Sequence, residues 1–164
     1  MLTTTIDETA ALFRTDPSKA ATRPTVTATL ANGRARLSAG PFNWDADLPN
    51  LLGGENLAPS PTAYLLGALA GCAIAFLRDT LAPQFQVELD DVTAVAKASS
   101  DLRGLLAIDG AAPDLGGLSL DIQVSSSSPS DRVEAMFQAW RERCPIYLAL
   151  VKPNAIELTT SIAA

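Results

Sequence analysis

Ser60-Pro61-Thr62-Ala63-Tyr64-Leu65-Leu66-Gly67-Ala68-Leu69-Ala70-Gly71-Cys72-Ala73-Ile74-Ala75-Phe76-Leu77 is the stretch around which the rest of the chain is arranged. Ser60 is a helix-capping residue type, and Pro61 suits the first helical position, where a missing N–H costs nothing. From Thr62 to Leu77 no side chain is charged. A helix apolar on every side has to be covered on every side. Cys72 lies well inside it and is one of only two cysteines in the chain. The helix is expected to stop near Leu81, because Ala82-Pro83 disfavours its continuation.

Upstream, Leu51 to Pro59 reads as a loop rich in structure-breaking residues that leads into the helix. Before it, Thr25–Leu30 is β-prone, Asn32-Gly33 is a strong hairpin turn, and Arg34–Leu37 is the returning strand. Phe42, Trp44, Ala46 and Leu48 alternate with polar or small residues, predicting a third strand with one buried face. Residues 1–24 read as an appendage with a short helix over 6–15, and 25–164 as a single domain. Downstream, a strand is expected within 85–98, a turn at Asp101–Gly104, and the cleanest strand at Leu118, Leu120, Ile122 and Val124. Val133, Met136, Phe137 and Trp140 recur at the spacing of an amphipathic helix that starts near Pro129-Ser130. Cys144-Pro145 breaks or restarts that helix. Ile156, Leu158, Thr160 and Ile162 alternate as a final strand. Runs of strands around two helices make the fold class α+β.

Composition limits the chemistry. The 164 residues carry a net charge of −6, which argues against a nucleic-acid or anionic-membrane surface. The apolar run at 63–77 is shorter than the roughly 20 residues of a membrane span, and the N-terminus has no signal-peptide pattern. A cytoplasmic protein with reducible cysteines is the expectation. Histidine is absent, which excludes Ser-His-Asp and Cys-His catalysis and any imidazole metal site. Neither a metal nor a cofactor is expected. Cys72 alone reads as a small buried hydrophobe. Cys144, just before Pro145, can cap a helical segment whose exposed N–H groups favour a thiolate, with Arg141 and Arg143 nearby in sequence. A peroxidatic thiolate beside a resolving thiol needs no histidine, so a cysteine pair is among the few catalytic devices open to this composition.

Gly53-Gly54, Pro59-Ser60-Pro61, the apolar helix ending Ala68-Leu69-Ala70-Gly71-Cys72, and then Cys144-Pro145 and a last strand form an ordered set. That set resembles the OsmC/Ohr family, the osmotically induced and organic-hydroperoxide-resistance proteins, over about residues 25–162. The resemblance implies an α+β fold in which two chains intertwine as a homodimer, with antiparallel sheets around two long central helices. Gly67 and Gly71, four apart, would permit close contact between those helices. It further implies thiol-dependent reduction of a small organic hydroperoxide. Cys72 would be the attacking thiol, Cys144 the resolving one, and a dithiol the reductant. These are the reverse of the roles that helix-end electrostatics suggests.

The chain departs from the family's peroxidases at Thr62, where they carry a glutamate that pairs with a thiolate-stabilising arginine. Arg34, Arg36 and, from the turn at 101–104, Arg103 are the candidates for that arginine. The branch it looks closest to is the broader OsmC-like one. The rival reading is a non-catalytic dimer that binds a small apolar ligand between subunits, with both cysteines structural.

Overall fold

The computed structural model describes residues 5–152 and 155–162. Helix α1 (Ile6–Thr15) stands where the sequence places it. The Thr5 hydroxyl accepts from the Glu8 N–H, and the Glu8 carboxylate accepts from the Thr5 N–H. None of its residues is buried.

Strands β1 (Thr27–Ala31), β2 (Arg34–Ala39) and β3 (Phe42–Ala46) form an antiparallel meander in that order. Ala31 pairs with Arg34, so Asn32-Gly33 is a two-residue turn, and both residues take the positive φ such a turn requires. The third strand ends at Ala46, two residues short of the expected Leu48. There the carboxylate of Asp47 takes over from the ladder. It accepts from the N–H groups of Leu48, Glu55 and Leu57 at 2.8, 3.2 and 3.0 Å, folding the 48–57 loop around itself. Gly54 is the tight point of this loop: a Cβ there would run into the Leu48 carbonyl oxygen.

Helix α2 (Pro61–Phe76) begins as expected, with the Ser60 hydroxyl accepting from the Ala63 N–H at 3.2 Å. The Tyr64 hydroxyl donates to the Asp45 carbonyl at 2.7 Å, tying the first turn of α2 to β3. The expected end near Leu81 is corrected. Leu77–Leu81 widens into a π turn, closed by an Ala82 N–H to Leu77 carbonyl bond, and α3 (Ala82–Phe85) follows directly. Pro83, which has no N–H to give, falls in the first turn of α3 and so removes no required bond. Helical backbone therefore runs unbroken over Pro61–Phe85, 25 residues, long and apolar enough by length and composition to cross a membrane. That corrects the shorter span read from the sequence.

Because Phe85 belongs to α3, the next strand begins later than its alternating residues suggest, as β4 (Asp91–Ser99). It pairs with β5 (Gly116–Ser125). Between them lies the short α4 (Leu102–Leu105), capped by Asp101 in place of a simple turn. Helices α5 (Ser130–Arg143) and α6 (Pro145–Val151) complete the regular structure. The expected last strand does not form: 155–162 pairs with nothing ladder-like, and Ile156, Leu158 and Ile162 are 89%, 82% and 99% exposed.

The chain divides into two compact units, Met1–Ala70 with Val95–Asp121 and Gly71–Ala94 with Ile122–Ala164. The second holds nearly all of the core: Ala73, Leu77, Leu81, Ala82, Val87, Met136, Ala139, Trp140 and Cys144. The π turn adds one residue to the helical repeat, which keeps Leu77, Leu81 and Ala82 all turned inward. Each large aliphatic side chain so buried contributes about 1.5–3 kcal/mol. In the first unit only Ala46, Asp47 and Leu69 are buried among the described residues, while Leu30 and Phe42 are 85% and 71% exposed.

Candidate active site

Cys72 and Cys144, 72 residues apart, meet in the second unit with their Sγ atoms 3.3 Å apart, both as free thiols. Cys72 comes from the middle of α2 and is partly exposed; Cys144 is fully buried. Pro145 explains the placement of the second. The residue before a proline is pushed out of the helical region, and Cys144 accordingly has φ −66° and ψ 113°. It closes α5 through an N–H bond to the Trp140 carbonyl, and its own carbonyl accepts the Leu148 N–H of α6, both at 2.9 Å. The thiol thus sits at a bend made by two helices packed one after the other. The Trp140 ring rests against Tyr147 at 5.1 Å between centroids, bracing that bend. Arg143, beside Cys144 in sequence, turns away from it: Nη1 donates to Gln84 and the guanidinium lies 6.0 Å from the Phe85 ring centroid.

The electrostatics at Cys72 disfavour its thiolate. Burial pushes the Cys72 thiol up from its ordinary value; the hydrogen bond with Cys144 and the charge of that neighbour push it further. Only the backbone N–H of Ile146 acts in the other direction. No cation acts on Cys72 among the described residues.

The arginines singled out in the sequence are engaged elsewhere. Arg34 pairs with Glu55 at 3.3 Å, is half-buried, and helps to hold the Asp47 carboxyl below its usual range. Arg36 pairs with Asp45 on the neighbouring strand at 3.1 Å, and Arg103 forks onto Asp101 at 2.6 Å. Thr62 is exposed in the first turn of α2.

Sequence reasoning did not single out Asp47 and Glu55 in the first unit, or the Ile146 N–H beside the cysteines in the second. Asp47 and Glu55 lie in a loop with no periodicity to mark them. The Ile146 N–H had a signal, since it is the first free donor after Pro145. Elsewhere an open depression of about 440 Å³ is lined by Ser99, Asp101 and Asp114, but the Asp101 carboxylate is already held by Arg103. Among the described residues no three acidic or cysteine side chains gather to hold a metal ion.

A family model described as OsmC-like protein matches residues 53–159. No curated protein matches. Among solved structures, an OsmC-like protein from Mycoplasma pneumoniae is 18% identical, covering 79% of this chain and 87% of that one, with a TM-score of 0.64. An organic hydroperoxide resistance protein from Legionella pneumophila is 21% identical over 79% and 90% of the two chains, with a TM-score of 0.56. One from Elizabethkingia anophelis is 18% identical over 80% and 89%, also at 0.56. At these identities the likeness is one of fold: an α+β chain with antiparallel sheets.

Proposed function

We infer, because the chain belongs to the OsmC-like protein family, that it reduces organic hydroperoxides with Cys72 and Cys144 as a homodimer of the cytoplasm. The observation that carries this reading is the 3.3 Å between two sulfurs that the sequence sets 72 residues apart. The hydroperoxide-resistance names of the Legionella and Elizabethkingia proteins support the substrate class.

The partly exposed Cys72 is the attacking group. Its thiolate displaces the peroxide oxygen–oxygen bond, taking one oxygen as a sulfenic acid while the other leaves, protonated, as an alcohol. Cys144, already in contact, then attacks that sulfur; water leaves and a disulfide forms. A dithiol reductant returns both residues to thiols. With no cation acting on Cys72 among the described residues, the Ile146 N–H is the group that favours its thiolate, and turnover is slow by the standard of a charge-assisted thiol.

What one chain leaves uncovered supports the dimer. Ala63, Gly67, Ala68, Gly71 and Ala75 of α2 are exposed, and a Cβ at Gly67 or Gly71 would meet nothing within 4 Å. The apolar 155–162 segment is exposed as well. A second copy laid on α2 covers its small-residue face. It also makes α2 the core helix of a dimer, not a membrane span.

The test is thiol counting. Stoichiometric cumene hydroperoxide should remove both thiols of the reduced protein within minutes and leave one internal disulfide. Cys72→Ser should abolish the reaction, and Cys144→Ser should stop at the sulfenic acid. Full retention of both thiols in the wild-type chain sinks the peroxidase reading and leaves the family's fold as a non-catalytic dimer with structural cysteines.

A further inference from the structure

We propose that the reduced Cys72–Cys144 pair is also a chelating site for trivalent arsenicals, a binding function that needs neither a thiolate nor an oxidant. Bond geometry selects the ligand. Bonds from sulfur to a soft centre are about 2.3 Å long. Two such bonds near a right angle, as in pyramidal three-coordinate arsenic(III), place their sulfurs about 3.3 Å apart; a tetrahedral centre asks for about 3.8 Å and a linear one for about 4.6 Å. The pair rests at 3.3 Å. A disulfide draws its sulfurs to about 2.0 Å, so oxidation requires an approach that chelation does not.

The protonation state agrees with the geometry. Cys72 is a partly buried, protonated thiol with no cation acting on it among the described residues, which is a handicap for attack on a peroxide. An arsenical removes that handicap, because its hydroxide ligands carry the protons away. An organic arsenous acid, RAs(OH)2, reacts with two thiols to give RAs(S-Cys)2 and two waters. Two As–O bonds break, two As–S bonds form, and arsenic stays trivalent. The first exchange takes place at the partly exposed Cys72; the second, at buried Cys144, is intramolecular and gains from the effective concentration of a thiol already in contact. Soft, polarisable sulfur is the matching donor for such a centre, and the chain has no imidazole to compete for it.

The probe is phenylarsine oxide added to the full-length reduced protein and followed by native mass spectrometry. The expected result is one phenylarsenic group per chain with loss of two hydrogens. About 100-fold excess 2-mercaptoethanol should leave the adduct in place, and equimolar 2,3-dimercaptopropanol should remove it. Uptake should change less than about twofold between pH 6 and pH 8, where iodoacetamide alkylation of Cys72 should change at least about tenfold. Cys144→Ser and Cys144→Ala, each checked by circular dichroism, should form only an adduct that the monothiol strips. Absence of the adduct, or its displacement from wild type by the monothiol, overturns the proposal without reference to any variant. A protein that binds the arsenical yet leaves hydroperoxide unreduced loses the peroxidase reading and keeps this one.

Discussion

At the scale of single residues, the chemistry turns on how seldom Cys72 is ionised. Burial, then Cys144, raise its pKa, so at neutral pH the thiolate is scarcer than for an ordinary thiol. Its alkylation by iodoacetamide is expected to keep rising about tenfold per pH unit past the ordinary thiol range, without the neutral plateau of an activated cysteine. A plateau below pH 7 in the alkylation profile would show a cation at the site. A second residue-scale prediction concerns Gly54, whose added Cβ meets the Leu48 backbone oxygen and cannot be relieved by turning a side chain. Gly54→Ala is expected to cost about 2–4 kcal/mol in urea unfolding. Both cysteines were legible in the sequence, because two thiols and no histidine leave few other devices. The partners of the arginines were not. Arg34 finds Glu55 only because Asp47 gathers the loop between them, and a hydrogen-bonded loop leaves no periodic trace.

Elements show where local signals suffice and where they fail. The start of α2 was readable from Ser60-Pro61, since a cap acts on the N–H groups of its own first turn. Its end was not, because the π turn lets the helix run past Pro83. That turn points Leu77 into the core, where it is fully buried along with Met136. Leu77→Ala and Met136→Ala should each lower stability by about 2–5 kcal/mol, whereas Leu57→Ala, on an exposed loop position, should change it by less than about 0.5 kcal/mol. The loop entering α2 makes a pH prediction. The Leu57 N–H, more than those of Leu48 and Glu55 or the charge of Arg34, holds the Asp47 carboxyl below its usual range, against the opposing effect of burial. Its folded-state value is therefore lower than its unfolded one. The stability it contributes is complete above the ordinary carboxyl range and is lost as pH falls through the depressed value. Asp47→Asn should lower the urea midpoint at pH 7 and narrow the gap between wild type and variant at pH 3.

For the whole molecule, the alternation of Ile156, Leu158, Thr160 and Ile162 is a strand pattern without a strand. Periodicity reports a face to be buried; it does not say which chain buries it. The α+β class and the two-helix plan were legible because they rest on spacing within the chain, and the oligomeric arrangement is what that spacing leaves open. Sedimentation velocity should give a dimer for the full chain. Ending the chain at Lys152, or placing leucine at Gly67 and Gly71, should shift the species toward monomer. A full chain that sediments as a monomer would refute the homodimer. The exposed 155–162 segment also has a temporal consequence. In the proposed homodimer, a segment covered only by a second polypeptide cannot reach its final state alone, so the last folding step is second order. Doubling the protein concentration on refolding from urea should halve the half-time of that phase, and dilute chains would wait longest with this apolar segment uncovered.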